Sequence, residues 1–219
     1  MQEQSYKLRK LTVMGMIIAL SFAAVLFVRI PVVLFLSYEP KDVLLTVGAF
    51  LFGPVAGSIM ATVVALLELV TISSTGIIGL VMNILSSCLF VCTAAAIYHR
   101  NKTLKNAVIG LICGALVATG GMLLWNYLIT PLYMENTTRE QVAALLVPMF
   151  LPFNLLKTAL NATLTLLLYK HISSALQSAR LLPKTDTAVT VKKRLPVTAV
   201  SLMILATLVL LLLVWKGII

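Results

Sequence analysis

The sequence predicts an all-α integral membrane protein: six transmembrane helices in a bundle, a seventh appended at the C-terminus, and the N-terminus in the cytoplasm. Three observations predict it. Of 219 residues, 60% are hydrophobic and 11% charged, with mean hydropathy +1.05, whereas soluble domains run to roughly 45–50% apolar and about 25% charged. The apolar residues fall in runs that approach the roughly 20 needed to cross a bilayer as a helix. The basic residues behind the net charge of +10 sit in short clusters between those runs, as topology determinants do, so the charge is not a nucleic-acid footprint. Disorder, a collagen-like chain and a disulfide-stapled module are excluded by the same composition. The three cysteines, Cys88, Cys92 and Cys113, lie inside apolar segments without zinc-site or CxxC spacing.

The first run, residues 11–28, follows Lys7, Arg9 and Lys10 and reads as a retained helix, because it is long and lacks a cleavage site. Residues 32–42 read as a loop broken by Pro40. Residues 43–52 are apolar but too short to span upright. They end at Gly53-Pro54, a turn signal, and the apolar pattern resumes over 55–71. A short second helix joined tightly to a full third is the reading, with one bent re-entrant hairpin as the alternative. A Ser/Thr/Gly loop at 73–76 leads to the fourth helix, 80–97, and the fifth, 107–129, is ended by Thr130-Pro131. A polar stretch precedes the sixth, 147–169, which carries Pro148 and Pro152 in its first turns, where proline is tolerated.

This organisation gives a membrane domain at 1–172, a basic cytoplasmic linker at 173–196 containing Pro183 and Lys192, Lys193 and Arg194, and a last helix within 197–219. The last helix is aliphatic all round and reads as a lipid-facing anchor. With a cytoplasmic N-terminus, the three basic clusters (Lys7 to Lys10, Arg100 to Lys105, Lys170 to Arg194) share one side. The nearly neutral loops 32–42, 73–79 and 131–146 then share the other, and Lys216 is a weak exception outside.

Polar groups in hydrocarbon are expensive and face a bundle interior or cavity. On the sixth helix Asn154, Lys157, Thr158, Asn161 and Thr165 recur at i, i+3, i+4, i+7 and i+11, one continuous face. The fifth carries Asn126 and Tyr127, the fourth Asn83, Ser86 and Ser87, and the third Glu68, each near its outer end. For Asn161, Thr165 and Ser87, interhelical hydrogen bonding is the favoured reading. For Asn126, Asn154 and Lys157 together a ligand is favoured, since amides and an ammonium at one level suit a flat heterocycle with carbonyls and ring nitrogens. Glu68 is either a counter-ion for Lys157 or a helix-end charge, two readings the sequence leaves open.

Catalytic patterns are missing from the sequence: His99 and His171 sit at cytoplasmic helix ends, and there is no HExxH, GxSxG or Walker-type loop. With no internal repeat, and with Glu68 as the one carboxylate expected to be buried, a self-coupled carrier is disfavoured. The chain reads as a binder without a motor of its own, with no cofactor and no metal. Small-residue spacings, Ala19-x-x-x-Ala23, Gly53-x-x-x-Gly57 and Gly110-x-x-x-Gly114, allow close helix approach to a partner or within the bundle.

Five stretches carry a family resemblance: Leu-Ser-Tyr-Glu-Pro-Lys-Asp-Val at 36–43, Phe-Leu-Phe-Gly-Pro-Val-Ala-Gly at 50–57, Gly-Leu-Val-Met-Asn at 79–83, Asn-Tyr-Leu-Ile-Thr-Pro-Leu-Tyr at 126–133 and Pro-Phe-Asn-Leu-Leu-Lys at 152–157. Together they make residues 8–172 resemble the S components of energy-coupling factor (ECF) transporters, the last two being similar to the riboflavin-binding type in particular. The resemblance implies a six-helix S-component bundle in a bacterial plasma membrane. Such a subunit captures riboflavin from outside and delivers it with a membrane T component and two cytoplasmic ATPases. It implies that Asn126, Asn154 and Lys157 hydrogen-bond the isoalloxazine ring and that Ala19 and Ala23 dock the T component; Asn83, Tyr38 and Glu68 complete the expected substrate-binding set. The 173–219 extension departs from the family pattern. An S component for another vitamin or flavin-like metabolite, and a membrane redox protein holding a flavin, are the alternatives; the second needs a reactive group that the trio lacks.

Overall fold

The structure is a computed structural model that describes residues 2–33, 36–73, 76–133, 138–179, 181 and 195–215. Helix α1 spans Gln2–Phe27 and carries the first basic cluster on its own N-terminal turns. The predicted loop 32–42 is instead an antiparallel hairpin, β1 (Ile30–Val33) and β2 (Leu36–Tyr38), with Ile30 opposite Tyr38 and Pro31 opposite Ser37. Pro31 and the β-branched residues beside it favour extended backbone, and Pro31 stands on one of only two paired strands, where its missing N–H costs little.

Helix α2 (Lys41–Phe52) therefore begins two residues earlier than the apolar run, at the charged pair Lys41 and Asp42. Asp42 in the first turn complements the positive end of the helix dipole. Its 12 residues make a short element for a bilayer, and they need not face lipid: α2 packs against α1, α3, α4 and α7 and buries Val43, Leu45, Val47, Ala49 and Phe50. Gly53, at φ +99°, turns the chain directly into α3 (Pro54–Thr71), because that left-handed backbone suits glycine and Pro54 suits a first helical position. The short-then-full helix pair expected from Gly53-Pro54 is what forms.

Helices α4 (Gly76–Arg100) and α5 (Leu104–Tyr133) make the closest pair. A Cβ on Gly110 would stand 2.6 Å from the Ala94 carbonyl oxygen, and one on Gly114 2.7 Å from that of Phe90. On α3, a Cβ on Gly57 would meet Ala49 of α2 at 2.7 Å. Gly57, Gly110 and Gly114 thus serve contacts inside the bundle, whereas Gly53 has open space around an added Cβ. Helix α5 continues through Pro131 rather than ending before it; so close to the terminus, one missing donor interrupts little.

The polar stretch before the sixth predicted helix contains α6 (Arg139–Leu145), started by a Thr138/Gln141 capping box. One π-helical turn, Leu146–Phe150, leads into α7 (Leu151–Ser178). Pro148 and Pro152 occupy this junction, where absent N–H groups loosen the regular ladder. Helix α7 runs into the expected linker, whose residues 180 and 182–194 lie outside the described ones. The last helix, α8 (Leu195–Trp215), is not a free anchor: it packs along α7.

Apart from α2, these helices leave wide apolar faces exposed, among them Leu11, Leu20 and Phe27 on α1, Ile112 and Leu116 on α5, and Leu202 and Met203 on α8. Five helical segments, 7–27, 54–71, 76–100, 104–132 and 139–178, are long and apolar enough to cross a membrane. The protein is a multi-pass α-helical membrane protein.

The glycine contacts make a direct prediction. Gly110→Ala forces α4 and α5 apart and costs about 1–3 kcal/mol of stability through overpacking, seen as a lower thermal midpoint in detergent. Gly120→Ala, on the same helix but with nothing within 4 Å of the added Cβ, leaves the midpoint unchanged or raises it.

Candidate functional site

The hairpin, the C-terminal end of α3, the N-terminal end of α4, the middle of α5 and the first turns of α7 meet at one end of the bundle around a cavity of about 150 Å³. The hairpin and the residue after it contribute Leu36, Ser37 and Glu39; α3 contributes Glu68; α4 contributes Met82, Asn83 and Ser86; α5 contributes Met122; and α7 contributes Phe153, Asn154 and Lys157. Apolar walls from Met82, Met122 and Phe153 thus face a few polar groups, a composition suited to a mostly flat, partly polar small molecule.

Behind and along one wall lies a charge network that the sequence reading missed. The Lys41 ammonium donates to both Glu68 oxygens, at 2.6 and 2.7 Å, and pairs with Glu39 at 3.1 Å. Arg29 pairs with the other Glu39 oxygen at 3.2 Å. Asn83 donates its amide to Glu68 at 2.8 Å. One Asp42 oxygen accepts from Ser87 at 2.6 Å; the other accepts from Asn161 at 3.3 Å and stands 3.9 Å from the Lys157 ammonium. Lys41, Asp42, Glu39 and Glu68 are all buried. Burial opposes ionisation of Glu39, but Lys41, Lys157 and Arg29 outweigh it and hold its carboxyl below the usual range. Three cations therefore balance three carboxylates.

This arrangement answers the open question about Glu68: its partner is Lys41, and Lys157 faces Asp42 instead. It also corrects the expectation of a single buried carboxylate, since Glu39 and Asp42 join Glu68. Their Glu-Pro-Lys-Asp run (39–42) resembles a solvated turn, and only the burial of α2 draws it inside. Asn161 and Ser87 are interhelical hydrogen bonders, as read, both meeting at Asp42, whereas Thr165 turns back to the Asn161 carbonyl at 2.7 Å.

Of the six candidate binding residues, Asn83, Glu68, Asn154 and Lys157 line the cavity. Asn126 does not: it is fully buried, donates to the Met122 carbonyl at 2.7 Å and accepts from Thr130 at 3.0 Å. It lies one helical turn beyond the α5 residue that reaches the wall. Tyr38 is also absent from the lining. Its neighbours Ser37 and Glu39 line the cavity while its ring packs with Leu156 and Leu160.

The most available donor is Lys157. At 3.9 Å its contact with Asp42 is an ion pair without a hydrogen bond, and among the described residues its ammonium has no hydrogen-bond acceptor. Asn154 beside it donates to the Phe150 carbonyl at 2.8 Å, which fixes its amide on the cavity wall. An ammonium with free donors next to fixed amides can orient a ligand carbonyl.

The ECF transporter, substrate-specific component family matches residues 9–169 of the chain. The chain belongs to that family. Among its relatives, the riboflavin transporter RibU of Staphylococcus aureus is 29% identical over 177 residues, which are 77% of this chain and 93% of the relative. RibU of Streptococcus thermophilus is 29% identical over 178 residues, 77% of this chain and 84% of the relative. A solved structure of the S component of a bacterial ECF transporter superposes with TM-score 0.64 at 30% identity, covering 78% of this chain and 98% of that one. The matched family segment contains the whole cavity and excludes α8.

The buried network is expected to be unforgiving to single changes. Lys41→Met leaves Glu68 without its cation and costs about 3–5 kcal/mol; Glu68→Gln costs less, because Lys41 keeps Glu39 at 3.1 Å, and the double replacement loses less than the two single effects combined. Thermal unfolding of the four proteins in detergent checks this coupling.

Proposed function

We propose that this S component binds riboflavin at the cavity between the hairpin and α7 and serves an ATP-driven importer in a bacterial plasma membrane. The observation that carries the proposal is the Lys157 ammonium, largely buried, without a hydrogen bond among the described residues, and lining the same cavity as Asn154 and Asn83. The RibU relatives support riboflavin over other vitamins. In this reading Lys157 and Asn154 hydrogen-bond the isoalloxazine edge, Met82, Met122 and Phe153 flank the ring, and Asn83, Ser37 and Glu39 meet the ribityl hydroxyls. Asn126 and Tyr38 act from behind, by fixing α5 and the hairpin.

The proposed topology is six crossings at 1–172, with a cytoplasmic N-terminus, then the linker 173–196 and a seventh crossing within 197–219. The short α2 counts as a crossing because its tight turn at Gly53 returns the chain as α3. The basic clusters support this orientation, and it places the cavity outside. Release inward then needs a motor, which the family supplies as a T component with two ATPases. Ala19 and Ala23 form the proposed docking surface for the T component: Ala19 is exposed, Ala23 half-buried, and Gly15 one turn earlier has open space around it.

Purified protein is expected to bind riboflavin 1:1 without nucleotide or metal, by calorimetric titration. Lys157→Met removes a charged donor worth about 1.5–3 kcal/mol, so affinity falls roughly 10- to 150-fold; Lys102→Met, exposed at the opposite end of the bundle, leaves it unchanged. Saturation by a different vitamin, with none by riboflavin, overturns the ligand assignment.

Docking is tested separately. Ala19→Trp or Ala23→Trp leaves riboflavin binding intact but abolishes uptake in cells, because a bulky side chain blocks close helix approach. Equal loss of binding and uptake overturns the docking role.

A further inference from the structure

We infer that α8 is a clamp built into this chain, acting through α7 and Tyr38 to hold the ligand-facing hairpin in place. This inference rests on the riboflavin reading for its binding arm alone. The sequence of α8 gives no hint of a facing side, since apolar residues surround it. The structure supplies one: Ser201 is buried and Leu205 and Leu208 are half-buried, at i, i+4 and i+7, while Leu202, Met203 and Ile204 between them and Val209 after them are exposed. That spacing is a single helical stripe.

The stripe has a defined destination. Leu205 and Leu208 pack against the buried cluster of Tyr38, Leu156 and Leu160, together with Ile30 and Val32. Three of those residues (Ile30, Val32 and Tyr38) belong to the hairpin, and Ile30 and Tyr38 are directly paired across it. The Tyr38 hydroxyl is buried and has no hydrogen-bond partner among the described residues, so packing, not polar anchoring, holds the ring there. The neighbours of Tyr38 on either side, Ser37 and Glu39, line the cavity. A helix that seals one side of Tyr38 therefore restrains two cavity-facing residues on the other.

The second restraint on the hairpin is independent of α8. Leu36 packs into Val142, Met149, Phe150 and Phe153, a cluster made by α6, the π-helical turn and α7. Removing α8 contacts should therefore loosen the hairpin without detaching it, which makes the expected effect one of rate. Leu205 and Leu208 are positioning residues, remote from the ligand itself.

The test uses the full-length chain in detergent with Leu205→Ala/Leu208→Ala, and Leu202→Ala/Val209→Ala on the exposed side of α8 as its control. Hydrogen exchange of the hairpin amides is followed without ligand, and riboflavin release by recovery of flavin fluorescence. We expect the first variant to speed hairpin exchange and riboflavin release about tenfold, equivalent to about 1.4 kcal/mol, while amides of α4 and α5 keep their protection and the control matches the parent protein. Unchanged hairpin exchange, or faster exchange with unchanged release, overturns the clamp. If the double replacement does not fold, Leu208→Ala alone is read by the same two measurements with the same criteria. Failure of the parent protein to bind riboflavin overturns the ligand reading instead, and hairpin exchange then decides the clamp by itself.

Discussion

The structure depends on the neutralisation of charge around the N-terminus of α2. A helix of 12 residues enters the bundle with Lys41 and Asp42 at its first turn, and neither side chain reaches water. Burying either alone is prohibitive. The ends of the neighbouring helices supply the compensation: Glu68 from α3 and Glu39 from the end of the hairpin take Lys41, while Ser87 from α4 and Asn161 and Lys157 from α7 take Asp42. The network thereby fixes the relative height of α2, α3, α4 and α7, which apolar packing along smooth helices leaves free to slide. The fit of glycine to backbone between α4 and α5 then sets the position of the remaining wall.

Because those contacts lie at one end of the bundle, the polar residues that fix the helices also shape the cavity. Glu68 and Asn83 are hydrogen-bonded to each other and both line it. Their geometry is set before a ligand arrives, so little ordering cost remains for binding. The aromatic group at the opposite end of α2 plays the complementary part. Phe50 stacks on Tyr98 with centroids 4.4 Å apart, Tyr98 and Tyr169 share a 2.8 Å hydrogen bond, and His99 bonds the Ala49 and Phe50 carbonyls at 3.1 Å each. With Nε2 facing two carbonyls, the ring nitrogen donates. One end of α2 is held by charge and the other by rings and a histidine, so the helix is pinned along its length.

How much of this the sequence discloses follows from what each signal measures. Hydropathy marks where helices lie, and it located α1, α3, α4, α5 and α7 from run length alone. Proline and glycine marked the α2–α3 turn correctly but misplaced the end of α5, since a terminal proline removes one donor without stopping the chain. Periodicity found the Asn154, Lys157, Asn161 face because that face repeats along one helix. It had no access to Lys41 and Asp42: a charged quartet beside a proline looks the same whether it caps an exposed loop or starts a buried helix. Asn126 shows the converse. A buried amide in an apolar run reads as a ligand group; in the structure it bonds to Met122 and Thr130 of its own helix and stands outside the cavity lining. The docking of α8 was illegible for a third reason, because an aliphatic helix presents the same pattern to lipid and to protein.

The one loose contact in the network is where binding energy can act. Lys41 is clasped by two carboxylates at hydrogen-bond distance, so moving it would cost more than a neutral ligand returns. Lys157 is different: it stands 3.9 Å from Asp42 at the wall, and among the described residues its hydrogen-bond donors are unsaturated. A ligand carbonyl can therefore take hydrogen bonds from Lys157 with no existing one broken, and the Asp42 charge stays compensated by Ser87 and Asn161 if the ammonium shifts toward the ligand. A rigid anionic pocket would instead favour cations, and an unpaired lysine would favour any anion. A balanced network with one under-used cation favours an uncharged molecule rich in acceptors, and that selectivity arises from the charges that hold the helices in register.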